Sequence, residues 1–331
     1  MKMTWVGSIS RSSWRPALGI ALGLAGSVNL AHAAYPDRPI TLEVGFAAGG
    51  PTDAMARVIA TEMGAELKQS VVVDNKPGAG SNIAAVQVAR AKPDGYTLLM
   101  VAVTSAINQT LYAKPGFNLS TDFEAVGLVG TIPSMLVVNP QLPVNSVQEL
   151  VTYAKANPGK LTFGSSGNGT SIHIAGELFK SAANIDVTHV PYRGSAPAGA
   201  AVVAGQISCM FDNVPTVAPF VQAGRMRALA VTTKERIATA PAVPTMAESG
   251  FPDFDVSSWY GLIAPAKTPP EVIATLNNAL QKVLSRPEFL ERMKGMGVIV
   301  KQGTPDSFGK FMKSETERWA PIVKASGAKI D

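Results

Sequence analysis

The chain is poor in the residues that carry most enzyme chemistry: one cysteine and three histidines among 331 residues, with only 16% of the chain charged. A lone cysteine excludes an intramolecular disulfide. Cys209 sits in Gln206-Ile-Ser-Cys-Met-Phe-Asp212, a buried-strand pattern in which a free thiol is a packing group. His32 falls in the leader described below. His173 and His189 have no second ligand at metal spacing, so they read as structural or supporting groups, and neither a metal nor a cofactor is expected.

Catalytic and nucleotide motifs fail in turn. Gly164-Ser-Ser-Gly-Asn168 lacks the last glycine of a nucleophile elbow, and Ser326-Gly-Ala-Lys329 matches S-x-x-K only at the C-terminus. Gly78-Ala-Gly-Ser-Asn-Ile83 and Gly167-Asn-Gly-Thr-Ser-Ile172 both lack the third glycine of a dinucleotide fingerprint, and there is no phosphate loop. Three of the 29 basic residues lie in the first 33 positions, which hold no acid, leaving 26 basic against 24 acidic residues. These are dispersed, with no basic run beside a stacking aromatic, so nucleic acid is not an expected partner. No stretch after residue 33 provides a membrane span's worth of consecutive apolar residues, so the chain is not expected to form a membrane path.

What is present begins with an export signal over residues 1–33: Lys2, Arg11 and Arg15, an apolar stretch from Ala17 to Leu30, then the small-x-small site Ala31-His-Ala33. The apolar stretch is shorter than the roughly 20 residues of a spanning helix, so cleavage after Ala33 and release into an exported compartment are expected.

From Ile40 onward, short apolar runs alternate with helical stretches: Ile40 to Phe46, Asp53 to Leu67, Val71 to Asp74, Asn82 to Ala91, Tyr96 to Val103. In the first helix Met55, Val58, Ile59, Met63 and Leu67 share one face at spacings of three and four. A second series opens with the capping box Ser146-Val-Gln-Glu149 and runs through Leu161 to Ser165, Ile172 to Ala182, Val187 to Val190, Ala196 to Ala204, Ile207 to Phe211, Pro215 to Ala223 and Met226 to Val231. Trp259 to Ala264 and helices from Pro270 to Leu284 and Asp306 to Val323 close the chain. The rhythm predicts an α/β fold of two lobes, each a mostly parallel sheet flanked by helices, with a cleft between them.

Ligands of such sheets gather beyond the carboxyl ends of the strands, where helix N-termini point outward. The first such loop is Phe46-Ala-Ala-Gly-Gly-Pro-Thr-Asp53, in which Thr52 or Asp53 is placed to cap a helix and the glycines to form an anion nest; alone, it also reads as a tight turn. Gly164-Ser-Ser-Gly-Asn-Gly-Thr-Ser171 is the richest cluster of small donors. Pro191-Tyr-Arg-Gly-Ser-Ala-Pro197 holds Arg193, the one cation of the three loops, which reads equally as a solvated side chain. Thr104 and Ser105 after one strand, and Asp212 with Asn213 after another, complete a ring of polar strand ends. Many small donors without an obvious base or nucleophile suit holding an anion unchanged. Four or five charge-assisted hydrogen bonds of about 1.5–3 kcal/mol each support roughly micromolar affinity.

At this point the sequence resembles the Bug family of periplasmic receptors, the solute-binding proteins of tripartite tricarboxylate transporters. The matching motifs include Tyr35-Pro-Asp-Arg-Pro-Ile40, Gly49-Gly50 with Asp53 and Arg57, Val71-Val-Val-Asp-Asn-Lys-Pro-Gly-Ala-Gly80, Lys92-Pro-Asp-Gly-Tyr-Thr-Leu98, His189-Val-Pro-Tyr-Arg-Gly-Ser195 and Trp259-Tyr-Gly261. The resemblance implies a type II periplasmic-binding fold, with lobe one over residues 34–133 and 257–331 and lobe two over 134–256. It implies a small-carboxylate site at Ala48, Gly49, Thr52 and Asp53, faced by Ser165, Ser166, Thr170, Gly194, Ser195 and Ala196, with Thr104, Ser105, Arg193 and Asp212 as further candidates. It departs from the family at the first loop, where Gly45-Phe-Ala-Ala-Gly-Gly50 replaces Pro-Phe-Ala-Pro-Gly-Gly, so no particular ligand is inherited.

The leading expectation is a monomeric receptor that traps an aliphatic or aromatic carboxylate by lobe closure and presents it to a separate permease. The alternatives are an exported serine hydrolase using Ser165 or Ser166, which requires His173 or His189 within hydrogen-bond reach and an acid beyond it, and a receptor that reports its ligand to a signalling partner.

Overall fold

A computed structural model describes residues 1–5, 7 and 35–330; apart from its first few positions, the export signal expected over 1–33 lies outside the described residues. In chain order the elements are β1 (Ile40–Val44), α1 (Pro51–Leu67), β2 (Val71–Asn75), α2 (Asn82–Ala89), β3 (Thr97–Ala102), α3 (Val103–Leu111), β4 (Phe123–Val138), α4 (Val147–Ala156), β5 (Leu161–Ser165), α5 (Ser171–Ala183), β6 (Val187–Pro191), α6 (Ser195–Val203), β7 (Cys209–Asn213), α7 (Val214–Gln222), β8 (Arg227–Val231), β9 (Ser257–Pro265), α8 (Pro270–Leu284), α9 (Pro287–Gly295), β10 (Ile299–Val300) and α10 (Pro305–Ser326). Among the described residues no helix is long and apolar enough to cross a membrane.

Each βα series builds a parallel group of three strands, β2-β1-β3 and β7-β5-β6. Antiparallel strands join them into one path, β2-β1-β3-β9-β4-β7-β5-β6, with β8 and β10 also pairing with β4. The sheet is therefore mixed. Strand β4 makes the join: Phe123 to Pro133 pair with β9, whereas Ser134 to Val138 pair with β7 and β8. The change of partner falls between two adjacent residues.

Apolar periodicity decides what each helix covers. The α1 face of Met55, Val58, Ile59 and Met63 is buried in a core with Ile40, Leu42, Leu276 and Leu280, so α8 closes over the same side of the sheet. Arg286 locks this pairing by bonding Glu62 at 2.9 Å and Glu66 at 2.8 Å. The opposite side holds the largest core, which runs from Val103 and Ile107 through Phe163, Phe179 and Phe211 to Trp259 and Trp319 and so spans both βα series. Two indoles need partners there, and buried Glu315 accepts from Trp259 Nε1 at 2.8 Å and Trp319 Nε1 at 3.1 Å, with Arg318 Nε at 2.7 Å on its other oxygen. A smaller core of Met135, Val202, Met210 and Val217 lies beneath α6 and α7.

The closing α10 packs on this scheme only because β9 is thin at Gly261. A Cβ there would overlap the ring of Phe308 and stand 2.9 Å from the carbonyl oxygen of Gly127. Gly261→Ala is expected to destabilise the fold by about 1–3 kcal/mol through overpacking. Gly295→Ala, where a Cβ meets nothing within 4 Å, is expected to leave stability equal or slightly higher. Urea denaturation of the two variants checks this, and equal midpoints contradict it.

Candidate functional site

The carboxyl ends of β1, β3, β5, β6 and β7 each lead into the start of a helix, so five strand ends and five helix N-termini are available for a site. At the first of these, Gly50 occupies the cap position of α1 with Pro51 following it, and no side chain caps the helix. The cap expected from Thr52 or Asp53 is thus absent, because both lie inside the first turn. Buried Asp53 instead reaches back: it accepts from Gly49 N at 2.9 Å, Arg57 Nε at 3.0 Å and Asn75 Nδ2 at 3.0 Å, while Asn75 Nδ2 also holds Phe46 O at 3.0 Å. These bonds, led by Arg57, hold the Asp53 carboxyl down at about 2 against the effect of burial. Asp53 therefore shapes the loop with a carboxylate that is already engaged, and the Gly49 amide expected in an anion nest is spent on it. Ala48 remains exposed at the tip. Gly45, where the sequence departs from the family pattern, has a physical role: a Cβ there would overlap the hydroxyl of Ser81, which packs against it from the turn before α2.

Beneath these loops runs a line of polar side chains. The buried Tyr260 phenol stands near Thr52 of α1, Ser258 and Asp212. Ser258 Oγ bonds Asn213 Oδ1 at 3.2 Å and Ser171 Oγ at 3.1 Å. Asn213 N donates to Asp212 Oδ1 at 2.7 Å, and Ser195 Oγ donates to the same oxygen at 3.0 Å. The bonds link the starts of α5 and α6, and the Tyr260 phenol lies between them and Thr52 at the start of α1. The line gathers Thr52, Ser195 and Asp212 from the candidate residues together with Asn213 of the polar strand ends and Ser171 of the second loop, and adds Tyr260 and Ser258, which the sequence reading did not select. Trp259-Tyr-Gly261 was visible as a motif, but nothing in it marked the phenol as polar machinery.

Three buried side-chain atoms on this level have no partner: Thr104 Oγ1 and Ser105 Oγ in the first turn of α3, and Asp212 Oδ2 at the end of β7. An unsatisfied buried polar atom costs about 1–3 kcal/mol, so a cluster of them marks hydrogen-bonding capacity held in reserve. Burial raises the Asp212 carboxyl to about 7 even though Asn213 and Ser195 oppose the shift.

The other candidates sort by exposure. Thr170 caps α5, accepting from His173 N at 3.3 Å and donating to Gly167 O at 2.8 Å. Ser166 and Gly194 are half-buried, whereas Arg193 and Ala196 are exposed. Gly194 precedes α6 at φ 118°, a conformation that favours glycine.

Ser165 meets the first condition of a hydrolase, with Oγ 2.7 Å from His189 Nε2, and fails the rest. It is wholly buried and also bonded to Gly167 O at 3.2 Å. His189 is stacked between Phe163 and His173, at ring separations of 4.8 and 4.1 Å. Glu177 stands 3.9 Å from His173 Nε2 and is ion-paired to Lys180 at 3.1 Å rather than aligned behind His189. The fold brings one ligand-type atom each of His173, Glu177 and His189 within 4.8 Å of one another, a proximity the sequence spacing did not show, but the hydrogen bonds of His173 do not favour a metal ion there. His173 Nδ1 accepts from Gly169 N at 3.2 Å, which leaves the proton of the neutral ring on Nε2, the nitrogen nearest Glu177. A cavity of about 890 Å³ walled by Trp259, Phe311 and Arg318 contains none of the candidate loop residues.

The chain is similar to known proteins over most of its length. Residues 55–328 match the model of the tripartite tricarboxylate transporter family receptor. A Pseudomonas sp. (strain P51) protein from the tcbD-tcbE intergenic region is 40% identical over 312 residues, 93% of each chain. Protein BugT of Bordetella pertussis is 35% identical over 316 residues, 95% of this chain and 97% of its own. Among solved structures, R. palustris Rpa4515 with adipate superposes with a TM-score of 0.81 at 35% identity, covering 89% of this chain and 100% of that one. MatC from Rhodopseudomonas palustris with bound malate gives 0.79 at 32% identity, covering 87% and 100%.

The histidine stack generates a pH prediction. Burial, then the neighbouring His173 and Lys180, depress His189 to about 4; burial, then Lys180, depress His173 to about 4. Unfolded histidines titrate near about 6.5, so the unfolded chain protonates first on acidification. Stabilisation by the neutral rings is complete above that value and is lost as pH falls toward 4. Glu43 and Asp212, each raised to about 7 chiefly by burial, act in the opposite sense, so the informative quantity is a difference. From about pH 7 to about pH 4.5, wild-type stability in urea is expected to fall further than that of His189→Gln; parallel profiles contradict this.

Proposed function

The chain belongs to the tripartite tricarboxylate transporter receptor family, and on that premise we propose that it captures a small carboxylate at the polar line between its two lobes and hands it to a separate permease. Members of this family are periplasmic solute-binding receptors, and the chain is a receptor rather than an enzyme. The observation that carries the proposal is the pair of buried, unpartnered hydroxyls of Thr104 and Ser105. A carboxylate accepting from both would recover their lost hydrogen bonds as charge-assisted ones, worth about 1.5–3 kcal/mol each. The Ser166 hydroxyl and the backbone N–H groups before α6 would close on it from the opposite lobe. Arg193, exposed, is not required for charge balance, because backbone and hydroxyl donors stabilise a carboxylate without a fixed cation.

The proposed lobes comprise residues 34–133 with 257–331, and residues 134–256. The change of β4 partners at Pro133 and Ser134, and the start of β9 at Ser257, support these limits. Ligand touching both lobes would favour the closed state by its extra contacts there. Adipate in Rpa4515 and malate in MatC support a dicarboxylate as the class to test first. Export with cleavage after Ala33 and action as a monomer complete the proposal.

In a thermal-shift panel of mono-, di- and tricarboxylates, aliphatic and aromatic, at least one ligand is expected to raise the unfolding midpoint progressively with concentration. Thr104→Val, which keeps the shape and removes the hydroxyl, is expected to weaken that ligand about tenfold or more. A flat response across the panel contradicts carboxylate capture, and an unchanged affinity in Thr104→Val contradicts the role of α3.

A further inference from the structure

We propose that Asp212 is the proton-carrying contact of the ligand site: its Oδ2 donates a hydrogen bond to the captured carboxylate, so that loading takes up one proton from solvent. The inference rests on the reading of the chain as a carboxylate receptor and adds to it a specificity element, a preference for the protein–ligand pair that shares a proton.

The geometry comes first. Asp212 ends β7 and is wholly buried. Both donors within reach, Ser195 Oγ and Asn213 N, are spent on Oδ1, and Oδ2 has no partner among the described residues. The carboxyl is bonded to Ser195 at the start of α6 and lies near the Tyr260 phenol. Among the described residues no cation acts on it. The elements packed on β7 are β4, β5, α5, α6 and α7. Of these, β5, α6 and α7 contain no charged or titratable residue, and β4 holds only Glu124, at its far end. α5 contributes His173, Glu177 and Lys180, which gather with His189 around Ser165 and Phe163. From β9 the Tyr260 phenol faces Asp212, and it is itself a neutral group held high by burial.

Two carboxylates brought together without a countercharge cannot both stay ionised, so one proton is retained and shared between them. The balance is simple: an ionised Asp212 and an ionised ligand carboxylate take up one proton, which sits on Oδ2 and is donated to the ligand oxygen. Burial already places the unliganded carboxyl at about 7, so the uptake needs little driving force near neutrality. The ligand's own carboxylates titrate well below this range, and His173 and His189, at about 4, are silent in it. Glu43 also titrates at about 7, and an Asp212 variant separates the two.

The test is calorimetry with adipate and malate as probes, run at about pH 8 in phosphate and in Tris, whose ionisation enthalpies differ. The inference expects about one proton taken up per ligand at that pH and an affinity that falls about tenfold per pH unit above neutrality. In Asp212→Asn, whose amide donates without titrating, the pH slope and the buffer dependence are expected to vanish. Binding without proton uptake by the wild type overturns the inference and leaves the receptor reading intact, and this arm needs no variant to fold. A slope that survives in a folded Asp212→Asn also overturns it and assigns the titration to Glu43. If neither probe nor any other carboxylate binds at any pH, both readings fall together.

Discussion

Strand β4 runs unbroken from Phe123 to Val138 and exchanges one set of partners for another between Pro133 and Ser134. The geometry of the site depends on that exchange. Because each half of the strand is pinned by its own neighbours, the two parallel groups β2-β1-β3 and β7-β5-β6 are joined through one strand, and the polar side chains at their carboxyl ends meet. Tyr260 and Ser258, near the start of β9, stand beside the exchange; the Tyr260 phenol lies near Thr52, and Ser258 bonds Asn213 and Ser171. A polar line between the halves follows from strand pairing and needs no dedicated ion pair.

The chemistry that results is capture without reaction. Groups that looked reactive in isolation are occupied by structure. Asp53 is consumed in shaping the first loop, Ser165 is bonded to His189 below the surface, and the two imidazoles stack as neutral rings. Among the candidate residues the atoms left without partners are two hydroxyls and one carboxyl oxygen, suited to donating to, or sharing a proton with, a small acid. The fold thus spends its strongest polar groups on rigidity and leaves weaker donors for a ligand, which favours reversible binding.

Much of this was legible in sequence because local signals and tertiary structure agreed. The Ser146 cap of α4 is made, with Glu149 N bonded to Ser146 Oγ at 3.1 Å, and the bounds of β5 and α8 match those read from periodicity and turn residues. Strand β4 was not legible: Gly127, Gly130 and Pro133 interrupt its pattern, and it bulges twice where it pairs with β9. Short β10 and α9 carry too few apolar residues to announce themselves. Asp212 and Asn213 end β7 rather than following it, because pairing with Ser134 and Met135 extends the strand. At the site, the candidate loops could be chosen from glycines and hydroxyls, but which hydroxyls are spent internally depends on contacts across long sequence separations. The bonds from Ser195 to Asp212 and from Ser165 to His189 are of this kind, and a one-dimensional pattern does not encode them.

The central claim is that buried hydroxyls and main-chain amides, not a fixed cation, hold the ligand carboxylate. A crystal structure of the protein with a bound dicarboxylate tests it most directly. The account predicts one carboxylate within hydrogen-bond distance of the Thr104 and Ser105 hydroxyls, with Arg193 still turned to solvent. A ligand ion-paired to Arg193, or lodged in the cavity beside Trp259 and Phe311, would contradict it.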